Sequence, residues 1–217
     1  MTRGIDEPDA LGRTGLDREG YELVGNPDVA VKNVTLLSSH WAVLRTTEFE
    51  YRHRDGHVST EHRETYNRGN GATMLLYDVA ARTVALVRQF RYPTYVNGLP
   101  DGMLLETPAG VIDDDDPEAS VKREVAEETG LAIGEVSFVF DAYMSPGSVT
   151  ERQYFYAAPY VSLGGSAQFA GLAHEGEDTE IVELDFEEAL GRIGRDIIDA
   201  KTIMLLQWAA LNGPFSR

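Results

Sequence analysis

The sequence predicts a mixed α/β domain, on three observations. Short strand-like runs separated by turn signals fill the first half of the chain. One helix has both ends marked, by Asp116-Pro117 at its start and Gly130 at its close. Two further helical patterns, at 186–193 and 201–211, follow a last strand near the C-terminus. With 217 residues, 42% of them hydrophobic and 25% charged, the chain is long enough for one globular domain with a sizeable core and a small appendage.

Residues 1–25 mix Gly, Asp, Glu and Arg without periodicity and read as a flexible acidic tail. Residues 26–66 read as an antiparallel β element. Apolar and polar side chains alternate imperfectly over Val31–Glu50, then Tyr51–Thr65 surrounds Arg54-Asp55-Gly56, a hairpin signal. Residues 67–217 form the main domain. Thr73–Asp78 and Thr83–Phe90 flank a short Ala80-Ala81-Arg82 turn, and Met103–Thr107 is a further strand. The helix that follows has Asp116 as N-cap, Pro117 at its first position, Glu118 at the positive end of its dipole and Gly130 as C-cap. Capping therefore accounts for Asp116 better than metal binding does. Strands then fit Val136–Tyr143 and Gln153–Val161. The glycine-rich, acidic stretch 162–178 reads as a loop, Glu180–Leu184 as a strand, and the two closing segments as helices.

The net charge of −17 excludes a nucleic-acid backbone or an anionic membrane as the main partner. The longest apolar runs, such as Val84-Ala-Leu-Val87, are far below membrane-span length, and residues 1–10 are polar. A cytoplasmic location is the expectation. Zero cysteines exclude disulfides, thiol nucleophiles and thiolate-bound zinc.

Chemistry concentrates between Gly110 and Leu131. Four aspartates, 113–116, precede a helix carrying Glu124, Glu127 and Glu128. At spacings of three and four these glutamates share neighbouring rows of one face, where like charges repel by a few tenths of a kcal/mol per pair. Hard oxygen donors converging from one surface suit Mg²⁺ or Mn²⁺. Val121, Val125 and Leu131 anchor the opposite face.

Gly110, Arg123-Glu124-Val125, Glu127-Glu128, Gly130 and Leu131 together resemble the Nudix box, the signature of hydrolases that cleave a nucleoside diphosphate linked to another group. Asp116 stands where that pattern has Glu, and six residues rather than seven separate it from Arg123. The shortened spacing resembles the GDP-mannose pyrophosphatase subgroup. The flanks Tyr66–Tyr77, Val87–Arg91, Val96–Gly98 and Tyr143–Glu151 are similar to it as well. The resemblance spans roughly residues 33–213 and implies an α/β/α sandwich with a mixed sheet, plus a small N-terminal β element used in dimerisation.

It also implies roles. Glu124 and Glu128 would ligate metal together with the backbone carbonyl of Ala109, and Arg123 would orient the glutamates. A further carboxylate, Glu177 with Glu175 as competitor, would ligate metal or activate water; Glu127 would be a ligand, a base or an arginine partner. Substrate contacts would come from Trp41, Arg63, Glu64, Arg91, Gly110, Glu151 and Lys201. The implied activity is Mg²⁺-dependent hydrolysis of GDP-mannose to GMP and mannose 1-phosphate by a homodimer. ADP-ribose hydrolysis is the nearest alternative, and a non-catalytic nucleotide-sugar sensor a second one. An acidic protein can hold a diphosphate if bound divalent cations reverse the field locally.

Overall fold

A computed structural model describes residues 26–112, 116–164, 168–170 and 179–216. Within it the chain divides into two compact units, one drawn from Met1–Asn70 with Ala142–Arg152, the other from Gly71–Asp141 with Gln153–Arg217.

The first unit carries a three-stranded antiparallel sheet in the order β1 (Val29–Ser39), β2 (Val43–Arg52), β3 (Val58–Asn67). The Asp55-Gly56 turn joins β2 to β3, with Gly56 at φ 85°, a conformation glycine adopts without a Cβ penalty. Val31/Asn33 and Leu36/Ser38 mark register shifts between β1 and β2. These shifts explain why alternation along Val31–Glu50 is imperfect in the sequence: each one exchanges the faces that later residues present. Val34, Ala42, Val43 and Arg45 are buried, whereas Val31, Leu37, Trp41, Val58 and Tyr66 remain exposed.

The second unit is built on an eight-stranded mixed sheet. Its elements are β4 (Gly71–Asp78), β5 (Thr83–Phe90), α1 (Tyr92–Val96), β6 (Met103–Glu106), β7 (Ala109–Val111), α2 (Pro117–Thr129), β8 (Ser137–Tyr143), β9 (Arg152–Pro159), β10 (Gln168–Ala170), β11 (Thr179–Asp185), α3 (Phe186–Arg192) and α4 (Ala200–Leu211). The strand order is β10-β11-β5-β4-β9-β8, with β6 added to β5 and β7 added to β4; β4 and β9 run parallel. Ala72, Met74 and Leu76 of β4 join Val121 and Val125 of α2 in one core cluster with Tyr156 and Ala158. Thr73, between them in β4, points the other way and bonds Thr107, which reaches Thr202 on α4. Helices therefore cover both faces of the sheet, as the resemblance implies.

Three short elements differ from the sequence expectation, which gave no strand at β7. Gln168–Ala170, inside the stretch that reads as loop, pairs with β11. The five-residue α1 has no buried side chain and no amphipathic signature to betray it.

Candidate functional site

The site is organised by the way α2 lies on β7. Asp116 caps α2, its carboxylate accepting the Ala119 N–H at 3.1 Å, and Pro117 fills the first turn. At the other end Gly130, at φ 63°, closes the helix. Fixed at both ends and held by Val121 and Val125 in the core, α2 presents Glu124 and Glu128 one turn apart to β7. A Cβ added to Gly110 would overlap the Glu124 carboxyl group, so glycine is what lets that side chain rest on the strand. Arg123 Nη2 lies 3.8 Å from Glu124 Oε1, in place to orient it. Glu128 is 2% exposed. Its Oε2 accepts the Ala109 N–H at 3.1 Å and its Oε1 accepts from Gln89 Nε2 of β5 at 3.1 Å.

Among the described residues Glu128 meets only neutral donors directly. Burial pushes its carboxyl up to about 8, more than the Gln89 bond, the Arg91 charge and the Ala109 amide pull it down. A dication beside it would reverse that balance. Two carboxylates with a backbone carbonyl, the rest of the sphere left to water and phosphate oxygens, is a donor set that fits a hard cation such as Mg²⁺. Among the described residues no three Asp, Glu or His side chains are grouped to hold a metal on their own. Glu127 is half-buried on the same helix. Glu177, its competitor Glu175 and Asp113 to Asp115 lie outside the described residues.

A second cluster lies along β5, β6 and α4. Arg91 Nε donates to Glu106 Oε1 at 2.7 Å, and Lys201 Nζ donates to Glu106 Oε2 at 3.3 Å and to Asp199 Oδ1 at 2.7 Å. Burial works against both cations, but Glu106 for Arg91, and Asp199 then Glu106 for Lys201, outweigh it and hold both above their ordinary values. Arg91 is thus a paired group rather than a loose strand-end charge.

The remaining expected contacts belong to the first unit. Glu151 is buried and paired with Arg68. Arg63 and Glu64 are exposed on the edge strand β3, Arg63 with Glu61 at 3.1 Å, and Trp41 is exposed on the turn between β1 and β2. The structure brings Ala109, Gly110, Glu124 and Glu128 together, and Arg91 with Lys201. The sequence reading missed Glu106, Gln89, Asp199 and Arg68. Glu106 carried a usable signal, as the one charge in Met103-Leu-Leu-Glu-Thr107 directly before the box.

The Glu128 shift has a testable sign. The folded protein keeps a proton that the unfolded chain releases near 4.5, so metal-free protein loses stability as pH rises from about 4.5 to about 8. Urea midpoints measured in EDTA over that range should fall more steeply for the wild type than for Glu128→Gln. Parallel curves would contradict the assignment.

Both parts of the chain have counterparts among known proteins. Residues 67–206 match the NUDIX domain family model, and residues 28–66 match the GDP-mannose pyrophosphatase NudK N-terminal domain. A Pectobacterium atrosepticum protein named GDP-mannose pyrophosphatase is 50% identical over 84% of this chain and 94% of its own length. Proteins of the same name from Yersinia enterocolitica and an Enterobacter species are 49% and 45% identical, over 85% and 82% of this chain and 97% and 93% of theirs. The NUDIX match covers more than half of the chain, and the relatives align along most of it; the chain belongs to the Nudix hydrolases, with a NudK-type N-terminal domain.

Proposed function

We propose that this hydrolase splits GDP-mannose with one water into GMP and mannose 1-phosphate, using Mg²⁺ held by Glu124, Glu128 and the Ala109 carbonyl. The observation that carries the reading is the identity of 45 to 50% with proteins named GDP-mannose pyrophosphatase, along more than nine-tenths of their lengths. When bound, the cation supplies charge neutralisation for the diphosphate and lowers the pKa of water near it. The chain supplies the rest. Glu124 and Glu128 offer oxygens from a helix fixed at both ends, so little reorganisation accompanies binding. Arg91 and Lys201 stay charged at any physiological pH and suit the phosphate oxygens. Glu177 is the proposed further carboxylate, as ligand or base. Trp41, Arg63, Glu64 and Glu151 are the proposed base and sugar contacts.

No helix among the described residues is long and apolar enough to cross a membrane, and a cytoplasmic enzyme is the reading we adopt. A homodimer is part of the proposal, because a three-stranded sheet exposing Val31, Leu37, Trp41, Val58 and Tyr66 leaves apolar surface that a second copy would cover. Sedimentation equilibrium should give twice the chain mass of 24.0 kDa; a monomer at micromolar concentration would rule the dimer out.

The activity is tested by phosphate release, with excess alkaline phosphatase and Mg²⁺, from GDP-mannose, other GDP- and UDP-sugars and ADP-ribose. Selective turnover of GDP-mannose is expected, falling at least a hundredfold in Glu124→Gln and Glu128→Gln. Preference for ADP-ribose would overturn the substrate, and ligand binding without turnover would make the protein a sensor.

A further inference from the structure

The second unit buries a carboxylate that the proposed metal set does not use. Glu106, at the end of β6, is 1% exposed, and its two oxygens are divided between Arg91 and Lys201. A closed ring of contacts holds it in place. Lys201 also reaches Asp199 Oδ1 at 2.7 Å; Asp199 Oδ2 accepts the Thr202 N–H at 2.9 Å and the Thr202 hydroxyl at 2.8 Å; and Thr202 Oγ1 accepts the Thr107 N–H at 2.8 Å, one residue after Glu106. The N-terminus of α4 and the strand leading into the box are thereby one unit.

Stability does not explain such an arrangement. A buried ion pair contributes little net stability, and well-packed apolar residues in its place are often neutral or stabilising. The arrangement does something else to the two cations. Arg91 uses its Nε on Glu106, and among the described residues both terminal amino groups of the guanidinium are left for a ligand, with the side chain 38% exposed. Lys201 gives two donor contacts, to Glu106 and Asp199, from an ammonium group with three protons. Long cationic side chains lose rotamer entropy when they are fixed on a ligand. Here that ordering is already complete, and mutual repulsion of the two cations is cancelled by the carboxylate between them.

We propose that Glu106 is a positioning residue that holds Arg91 and Lys201 together as a preformed cradle for the diphosphate of the substrate. The proposal rests on the nucleotide-sugar reading for the identity of the anion. Because both cations would contact phosphate in ground and transition state alike, Glu106 acts mainly on affinity.

The test titrates GDP by calorimetry in the presence of Mg²⁺, and measures kcat, KM and Mg²⁺ dependence on GDP-mannose, for wild type and Glu106→Gln, with thermal melting of each. Glu106→Gln should bind GDP at least tenfold more weakly and raise KM to match, with kcat within about threefold and Mg²⁺ dependence within twofold of the wild type. GDP affinity within twofold of the wild type would overturn the proposal. So would a joint loss of kcat and Mg²⁺ dependence, which would mean general disorder of the site. Should Glu106→Gln fail to melt cooperatively, Glu106→Asp carries the test, since it keeps the charge and is too short to span both cations. GDP bound at least threefold more weakly supports the role, and wild-type affinity overturns it. A wild type that turns over no nucleotide sugar would sink the functional reading, while the GDP titration would still decide the role of Glu106.

Discussion

The contact between α2 and β7 is the constraint from which the candidate site follows. Glu124 rests on the bare backbone of Gly110, and Glu128 accepts the N–H of Ala109, so two carboxylates one helical turn apart are set on two consecutive residues of one strand. Nothing in the helix alone would bring this about. Isolated, α2 would carry its glutamates as a solvated acidic row with weak mutual repulsion. Packed through Val121 and Val125 onto Ala72, Met74 and Leu76, it has one azimuth, and that azimuth puts Glu128 inside the protein. Burying a carboxylate among neutral donors costs free energy that a cation beside it would offset.

Charge is handled differently on the two sides of this contact. Among the described residues Glu128 has no directly bonded cation, whereas Glu106 has two. The first arrangement suits a cation and the second an anion, which is the pairing that the proposed metal–diphosphate complex would require. In a chain of net charge −17 the proposed ligand would be held through the local field at these residues rather than through the total charge.

Legibility in the sequence followed how local each determinant is. The ends of α2 were readable because capping is decided within four residues: Asp116, Pro117 and Gly130 do in the structure what their chemistry suggests. The β4–β5 hairpin was readable for the same reason. The role of Glu106 was not: a single charge in an apolar strand hints at burial, but its partners Arg91 and Lys201, fifteen and ninety-five positions away, are set only by the fold. Gly110 was picked out through its place in the box, but its physical reason, the Glu124 carboxyl group lying over it, needs the fold. Register shifts in β1 blurred alternation there, and α1 is too short to show a period. Trp41, Arg63, Glu64 and Glu151 sit in the other unit, where neither spacing nor composition links them to α2.

In the proposed metal site, Gly110 leaves the space in which Glu124 would act as a ligand. Mg²⁺ affinity of Gly110→Ala tests this most directly. The glycine is not among those with a left-handed backbone, and the atoms a new Cβ would meet belong to the movable end of Glu124. The substitution should therefore displace the carboxylate without unfolding the protein. We predict Mg²⁺ affinity reduced at least tenfold, with circular dichroism and melting temperature close to those of the wild type. A folded Gly110→Ala protein that binds Mg²⁺ as tightly as the wild type would contradict the account.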